Sequence, residues 1–205
     1  MKILVSSILL LGVLISCGEA NEKKNDQNTS QDKPQTAEAS TLPSADYSSL
    51  LVNYECDMTP AEAAKVLNIP ETDVSLAKYQ PPGGCSFSVK GFGENGLGDD
   101  TAIVWFLEEL GKAQVAKEIK SYLDDQANNE SVLGMGIELS ETGDSYIAKN
   151  PMYGRVTIMN PNYDNWLLLS YSPKHNYKSR TQEQHDALGE KTIALANYLL
   201  KKHKK

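Results

Sequence analysis

Histidine and cysteine are scarce in this 205-residue chain, with three of each, and no histidine precedes His175. No CxxC pair occurs, so local spacing offers no multi-cysteine zinc module. HExxH and GxSxG are also missing, which removes two common hydrolytic signatures. Lys plus Arg total 20 against 27 Asp plus Glu, a net charge of −7. A chain this acidic has no general electrostatic attraction to nucleic acid. The longest apolar run, Ile3 to Ile15, holds about 13 residues against the roughly 20 that a spanning helix needs. What remains is an ordinary balance, 40% hydrophobic and 23% charged, which excludes a wholly disordered chain and fits one globular domain.

The first residues combine Lys2 with that short apolar run, the pattern of an export signal. The run ends in Leu14-Ile15-Ser16-Cys17-Gly18. This stretch resembles the lipobox of bacterial lipoproteins. The resemblance implies cleavage before Cys17, acylation of its sulfur, and a membrane anchor of two or three acyl chains, enough for stable attachment. Residues 1–16 are then a signal peptide, and the expected address is the bacterial cell envelope.

Residues 17–46 are expected to be the acylated cysteine and a tether. From Gly18 to Ser44 the chain has no aromatic residue and one leucine, so it cannot bury enough apolar surface to offset its ordering entropy. With acidic groups outnumbering lysines it is not a polybasic lipid-binding segment. Its expected reach as a flexible chain is roughly 25–30 Å. Every aromatic residue lies at or beyond Tyr47, so residues 47–205 should form the globular domain.

With Cys17 assigned to lipid, Cys56 and Cys85 remain as a pair. In an exported domain the default reading is a disulfide, stabilising by roughly 3–4 kcal/mol on the chain-entropy model. A metal site or a reactive thiol is the rival reading, and no nearby histidine supports the metal.

Thr59-Pro60-Ala61-Glu62 is a capping box with proline at the first helical position, predicting a helix to Leu67. Strands are expected at Val74–Tyr79, Cys85–Lys90 and Thr101–Leu107, then a helix over Gly111–Gln126 with Val115, Ile119, Tyr122 and Leu123 inward. Three more strands follow at Ser145–Lys149, Gly154–Met159 and Asn165–Tyr171, the last apolar on both faces and therefore central. Thr181-Gln182-Glu183-Gln184 opens a final helix whose apolar side carries Ala187, Leu188, Ala194, Leu195, Tyr198 and Leu199. Short turns between consecutive strands imply antiparallel pairing. The expected class is α+β: a mainly antiparallel sheet with helices packed on it, in a single domain.

Three features carry a second resemblance: Cys56-Asp57-Met58-Thr59-Pro60-Ala61-Glu62 before a helix, Gly84-Cys85-Ser86-Phe87 on a strand, and a last helix after paired strands. Together they are similar to small, disulfide-bridged bacterial lipoproteins with a PsbP-like fold. That resemblance implies a non-catalytic binding or assembly role and transfers no site residues.

The chemistry-bearing stretches read blandly. Phe92 to Asp100 is glycine-rich but lacks the GKS or GKT ending of a phosphate loop. Its Glu94, Asn95, Asp99 and Asp100 offer hard oxygens for calcium, without the EF-hand spacing, and an acidic turn is the simpler account. Glu108-Glu109 and Asp124-Asp125 are adjacent in sequence, so their side chains diverge and make no acid–base pair. His175, His185 and His203 are expected at the surface or as caps. No catalytic residue, metal site or cofactor is expected.

Lys174, His175, Tyr177, Lys178 and Arg180 form a local basic–aromatic cluster, with a solvated loop as its plainer reading. Trp166 and Tyr171 are expected in the core. Tyr163 and Tyr177, in turns, are expected as exposed contacts, with His175 and Arg180 beside them. The favoured function is a lipid-anchored, non-catalytic binding or accessory module of the envelope, meeting a protein or glycan partner and no nucleic acid. The alternatives are an immunity-type or inhibitor lipoprotein directed against an envelope toxin or hydrolase, and an envelope hydrolase.

Overall fold

The structure is a computed structural model that describes residues 42–205. Cys17 and most of the expected tether lie outside the described residues.

Four α-helices form, two of them on side-chain caps that the sequence supplies. A one-turn helix α1 (Ser48–Leu51) buries Leu50 and Leu51. Helix α2 (Pro60–Leu67) starts on Thr59, whose hydroxyl accepts the Glu62 N–H, and stops at Asn68 in the left-handed region (φ 50°). Helix α3 (Lys112–Ala127) follows Gly111. The long C-terminal helix α4 (Gln182–His203) opens with a complete capping box. Gln184 donates its N–H to the Thr181 hydroxyl, and the Gln184 side-chain oxygen accepts the Thr181 N–H.

Eight strands make one antiparallel sheet: β1 (Val74–Leu76), β2 (Gly84–Asn95), β3 (Asp100–Glu109), β4 (Gly136–Leu139), β5 (Tyr146–Asn150), β6 (Arg155–Met159), β7 (Asn165–Ser170) and β8 (Tyr177–Lys178). Their order is β1-β2-β3-β7-β6-β5-β4, with β8 paired to the far end of β2. The class is α+β, and β7 is central as its two apolar faces require.

Alternation along the strands sends side chains to two different cores. Phe87, Ile103, Trp105, Ile147, Ile158, Leu167 and Leu169 face α1, α2 and α4. Tyr146, Ala148, Met159 and Trp166, one position out of phase, face Val115 and Ile119 of α3. Helices therefore cover both faces of the sheet, the second only in part. On the outer face of β3, Ala102, Val104 and Phe106 stay half-exposed.

Cys56 and Cys85 form a disulfide that ties the approach to α2 onto β2. Around it Trp105 donates its indole N–H to the Tyr54 hydroxyl at 2.7 Å, which in turn lies 3.4 Å from the Cys85 sulfur.

Several boundaries differ from expectation for local reasons. The strand expected over 74–79 ends at Leu76. Beyond it the Gln80 side chain takes over the ladder, accepting the Ser86 N–H at 3.0 Å and donating to the Ser86 carbonyl at 2.8 Å. The expected strand 85–90 instead runs to Asn95 through a bulge, with Gly91 and Gly93 at φ near +90°. The edge strand β4 and helix α1, each of four residues, lacked any sequence signal of their own length. Ala194, expected on the apolar side of α4, is exposed. Packing also begins upstream of Tyr47. Leu42 packs on the α3 core and Ala45 on the main core, and the Asp46 carbonyl accepts the Lys205 N–H at 3.1 Å.

Candidate functional site

The expected contact residues separate into a buried frame and an exposed rim. Arg180 was expected at the surface. It is 4% exposed, and its guanidinium serves as a clamp. Nε donates to the Phe92 carbonyl at 2.9 Å, and Nη1 to the carbonyls of Tyr171 and Ser172, both at 3.0 Å. Nη2 donates to the Thr101 hydroxyl at 2.7 Å. The Tyr177 ring lies against it, 3.8 Å from centroid to guanidinium carbon. The glycine-rich stretch from Phe92 makes this seat. A Cβ on Gly93 would come within 3.0 Å of the Arg180 Cβ.

Tyr163 and Tyr177 are corrected in the same sense. The Tyr163 hydroxyl accepts the Tyr47 N–H at 2.5 Å and faces the Ala45 carbonyl at 3.3 Å, so it fastens the entry of the domain. The Tyr177 hydroxyl accepts the Ala102 N–H at 3.3 Å. Both are half-buried because each closes a gap between distant chain segments. Of the four expected contacts only His175 is exposed.

The loop from β7 to β8 is held against the turn between β5 and β6. Gly154, at φ +58°, approaches so closely that a Cβ there would lie 2.2 Å from the Ser172 carbonyl oxygen. Ser172 itself sits at φ +62°, a left-handed conformation fixed from the other side by Arg180. Lys174 and His175 project from this pinned backbone.

Beside it opens a cavity of about 600 Å³, lined by Leu133, Met152, Lys174, His175, Arg180 and His185 among others. Tyr177 and Gln182 also border it. His185 was expected at the surface but is 3% exposed. Its Nε2 donates to the Pro151 carbonyl at 2.7 Å, and its ring tilts against Tyr171 at 5.1 Å. Its Nδ1 has no partner among the described residues. Leu133 (66%) and Met152 (43%) are exposed apolar groups on the rim.

The charge balance of this cavity is one-sided. Among the described residues no carboxylate pairs with Arg180 or Lys174, whose ammonium meets only the Gln182 side-chain oxygen at 3.3 Å. Burial pulls the Arg180 proton affinity below its ordinary value against the opposing influence of Tyr177, a mark of an uncompensated charge. The N-terminus of α4, at Gln182, adds its positive dipole end. Glu183 and Asp186 lie on the first two turns of that helix, where Asp186 accepts from Gln182 Nε2 at 2.8 Å. Burial, with Asp186 adding to it, pushes the Tyr171 hydroxyl up to about 12, so it is neutral at physiological pH.

A larger groove of about 720 Å³ runs between α2 and α4, past Ala61, Val66, Ala194 and Tyr198. Of its charged lining groups Glu62, Glu141 and Lys201 are paired within the fold, and Lys65 meets no carboxylate among the described residues. Lys202 pairs with Glu62 at 2.9 Å and Asp57 at 3.2 Å, and Lys201 pairs with Glu141. It is larger, but no buried polar atom that lines it lacks a partner among the described residues, and the smaller cavity is the better candidate.

The carboxylate pairs resolve structurally. Glu108 accepts the Trp166 indole N–H at 2.6 Å across the β3–β7 ladder. Asp124 pairs with Lys120 one helical turn away. Asp99 of the glycine-rich hairpin accepts from Lys78 at 3.0 Å. Among the described residues no three His, Cys, Asp or Glu side chains gather as a metal site requires. His203 also departs from the surface reading. It packs edge-on against Tyr54, with Asp57 3.6 Å away, and burial holds its pKa below the ordinary value.

Sequence reasoning placed His185 at the surface or as a cap and passed over Leu133 and Met152. A signal for the first was present, since His185 shares the helical stripe of Leu188, Leu195 and Leu199. Leu133 and Met152 come from loops with no periodicity to read. No family model, no curated protein and no solved structure matches the chain.

Proposed function

We propose that this chain is a lipid-anchored protein of the bacterial cell envelope that acts as a non-catalytic binding or accessory module. The anchor reading rests on Leu14-Ile15-Ser16-Cys17-Gly18 after a short export-type run. The binding reading is carried by one observation. Lys174, His175 and Arg180 converge with apolar Leu133 and Met152 on a single cavity backed by a pinned loop and a capped helix. A concave apolar site with a few convergent polar groups on rigid elements is the usual form of a ligand site.

The test compares capture of envelope components by the full, lipidated, tagged chain with capture by two variants. Lys174→Ala/His175→Ala should lose the captured component, and deletion of residues 18–41, which spares Leu42 on the α3 core, should retain it. Loss in the deletion with retention in the double substitution would move the function to the tether and overturn this reading.

A further inference from the structure

We infer that the cavity between the β5–β6 turn, the β7–β8 loop and the start of α4 binds a phosphate group carried on an apolar body. This rests on the binding-module reading above. Three observations lead to it.

The first is charge. Lys174 and Arg180 place two permanent cations at the cavity, and His175 stands beside them. No carboxylate among the described residues neutralises either cation. A buried guanidinium without a counter-ion is costly, and an incoming anion relieves that cost. Two cations match a phosphate, which carries up to two negative charges, better than a single carboxylate.

The second is unused hydrogen-bonding capacity. Arg180 spends four N–H groups on Phe92, Tyr171, Ser172 and Thr101 and lies against Tyr177, so it offers the cavity its charge more than a free donor. Lys174 has one weak contact at 3.3 Å. His185 Nδ1, an acceptor while Nε2 donates to Pro151, is buried without a partner among the described residues and suits the hydroxyl of a singly protonated phosphate. A native fold rarely leaves a buried polar atom unmatched, and a bound ligand is one explanation for such an atom.

The third is the rim. Leu133 and Met152 are exposed on the same cavity, and Leu133 holds a left-handed conformation at φ +52° that a bulky residue seldom adopts. Apolar groups beside a cationic pocket fit an amphiphile better than a bare ion.

The test is calorimetric titration of the full chain, purified in an uncharged detergent, with four probes: inorganic phosphate, hexyl phosphate, hexanoate and hexanol. Hexyl phosphate should bind at least tenfold more tightly than inorganic phosphate, through the rim, and at least tenfold more tightly than hexanoate, through charge. Hexanol should give no signal. Lys174→Ala/His175→Ala should weaken hexyl phosphate at least tenfold with its melting temperature unchanged, while Lys120→Ala on α3 should bind as the wild type does.

A parallel titration with dihexanoylphosphatidylglycerol distinguishes the source. Tighter binding than hexyl phosphate assigns a lipid headgroup, and weaker binding assigns a soluble phosphate ester, both within the inference. Hexanol or hexanoate matching hexyl phosphate, or a double variant that binds undiminished, overturns it. Should hexyl phosphate fail to bind while the same variant still loses envelope capture, this inference falls and the binding-module reading stands.

Discussion

Lys204 reaches back from the end of α4 to place its ammonium 2.6 Å from the carboxylate of Asp144, whose side chain is 1% exposed. Tyr47 and Thr142 donate hydroxyls to the same carboxylate at 2.7 and 2.6 Å. One buried charge thus joins the start of the domain, the β4–β5 turn and the C-terminus.

Burial alone would raise the Asp144 pKa, but Lys204, Thr142 and Tyr47 outweigh it and hold the value below the ordinary one. A carboxylate whose folded pKa is depressed contributes stability that is complete above the unfolded range, about pH 4, and fades as pH falls through the folded value. Lys204→Ala should cost about 1–2 kcal/mol at neutral pH, less than a fully buried pair because Lys204 is itself half solvated. The difference in melting temperature between variant and wild type should narrow as pH falls below the unfolded carboxylate range. A gap that persists undiminished there would assign the contact a packing role instead.

The disulfide supports the least regular part of the domain. Cys56→Ala should lower stability by about 2–5 kcal/mol, and reductant should bring the wild type to the same melting temperature. A wild type indifferent to reductant would show that Trp105 and Tyr54 hold that corner without the bridge.

Arg180→Lys keeps the charge but loses the planar fork that serves four acceptors. It should destabilise by about 2–4 kcal/mol in urea unfolding. A change under about 0.5 kcal/mol, the scale of an ordinary surface substitution, would contradict the clamp.

Two glycines give a paired comparison. Gly154→Ala meets the Ser172 carbonyl at 2.2 Å, whereas Gly98→Ala, also at positive φ, meets nothing within 4 Å. The first should cost more than about 2 kcal/mol and the second about 1 kcal/mol. Equal costs would indicate that the β7–β8 loop shifts freely.

The anchor has its own measurement. Cys17→Ser should leave the chain unprocessed or release it from membranes, because acylation needs the thiol. A variant that is processed and still fractionates with membrane would overturn the lipoprotein reading.

The sequence by itself determined the elements whose signals are local. Thr59-Pro60 and Thr181 set two helix starts through hydrogen bonds that span three residues. The doubly apolar run Trp166 to Leu169 placed β7 at the centre, and Cys56 and Cys85 offered a pair that the structure bridges. Tertiary structure alone decided the fate of single polar side chains. Arg180, Tyr163 and Glu108 look like surface residues in sequence, and the seat of His185 is hidden although its apolar stripe is legible, because their partners lie 8 to 118 positions away. Those partners meet only when the sheet brings Phe92, Pro151, Ala45 and Trp166 alongside them. The cavity has the same origin. Its cationic loop was legible as a run of residue types. The apolar rim and the unpaired histidine nitrogen come from separate segments that pack together only once the chain has folded.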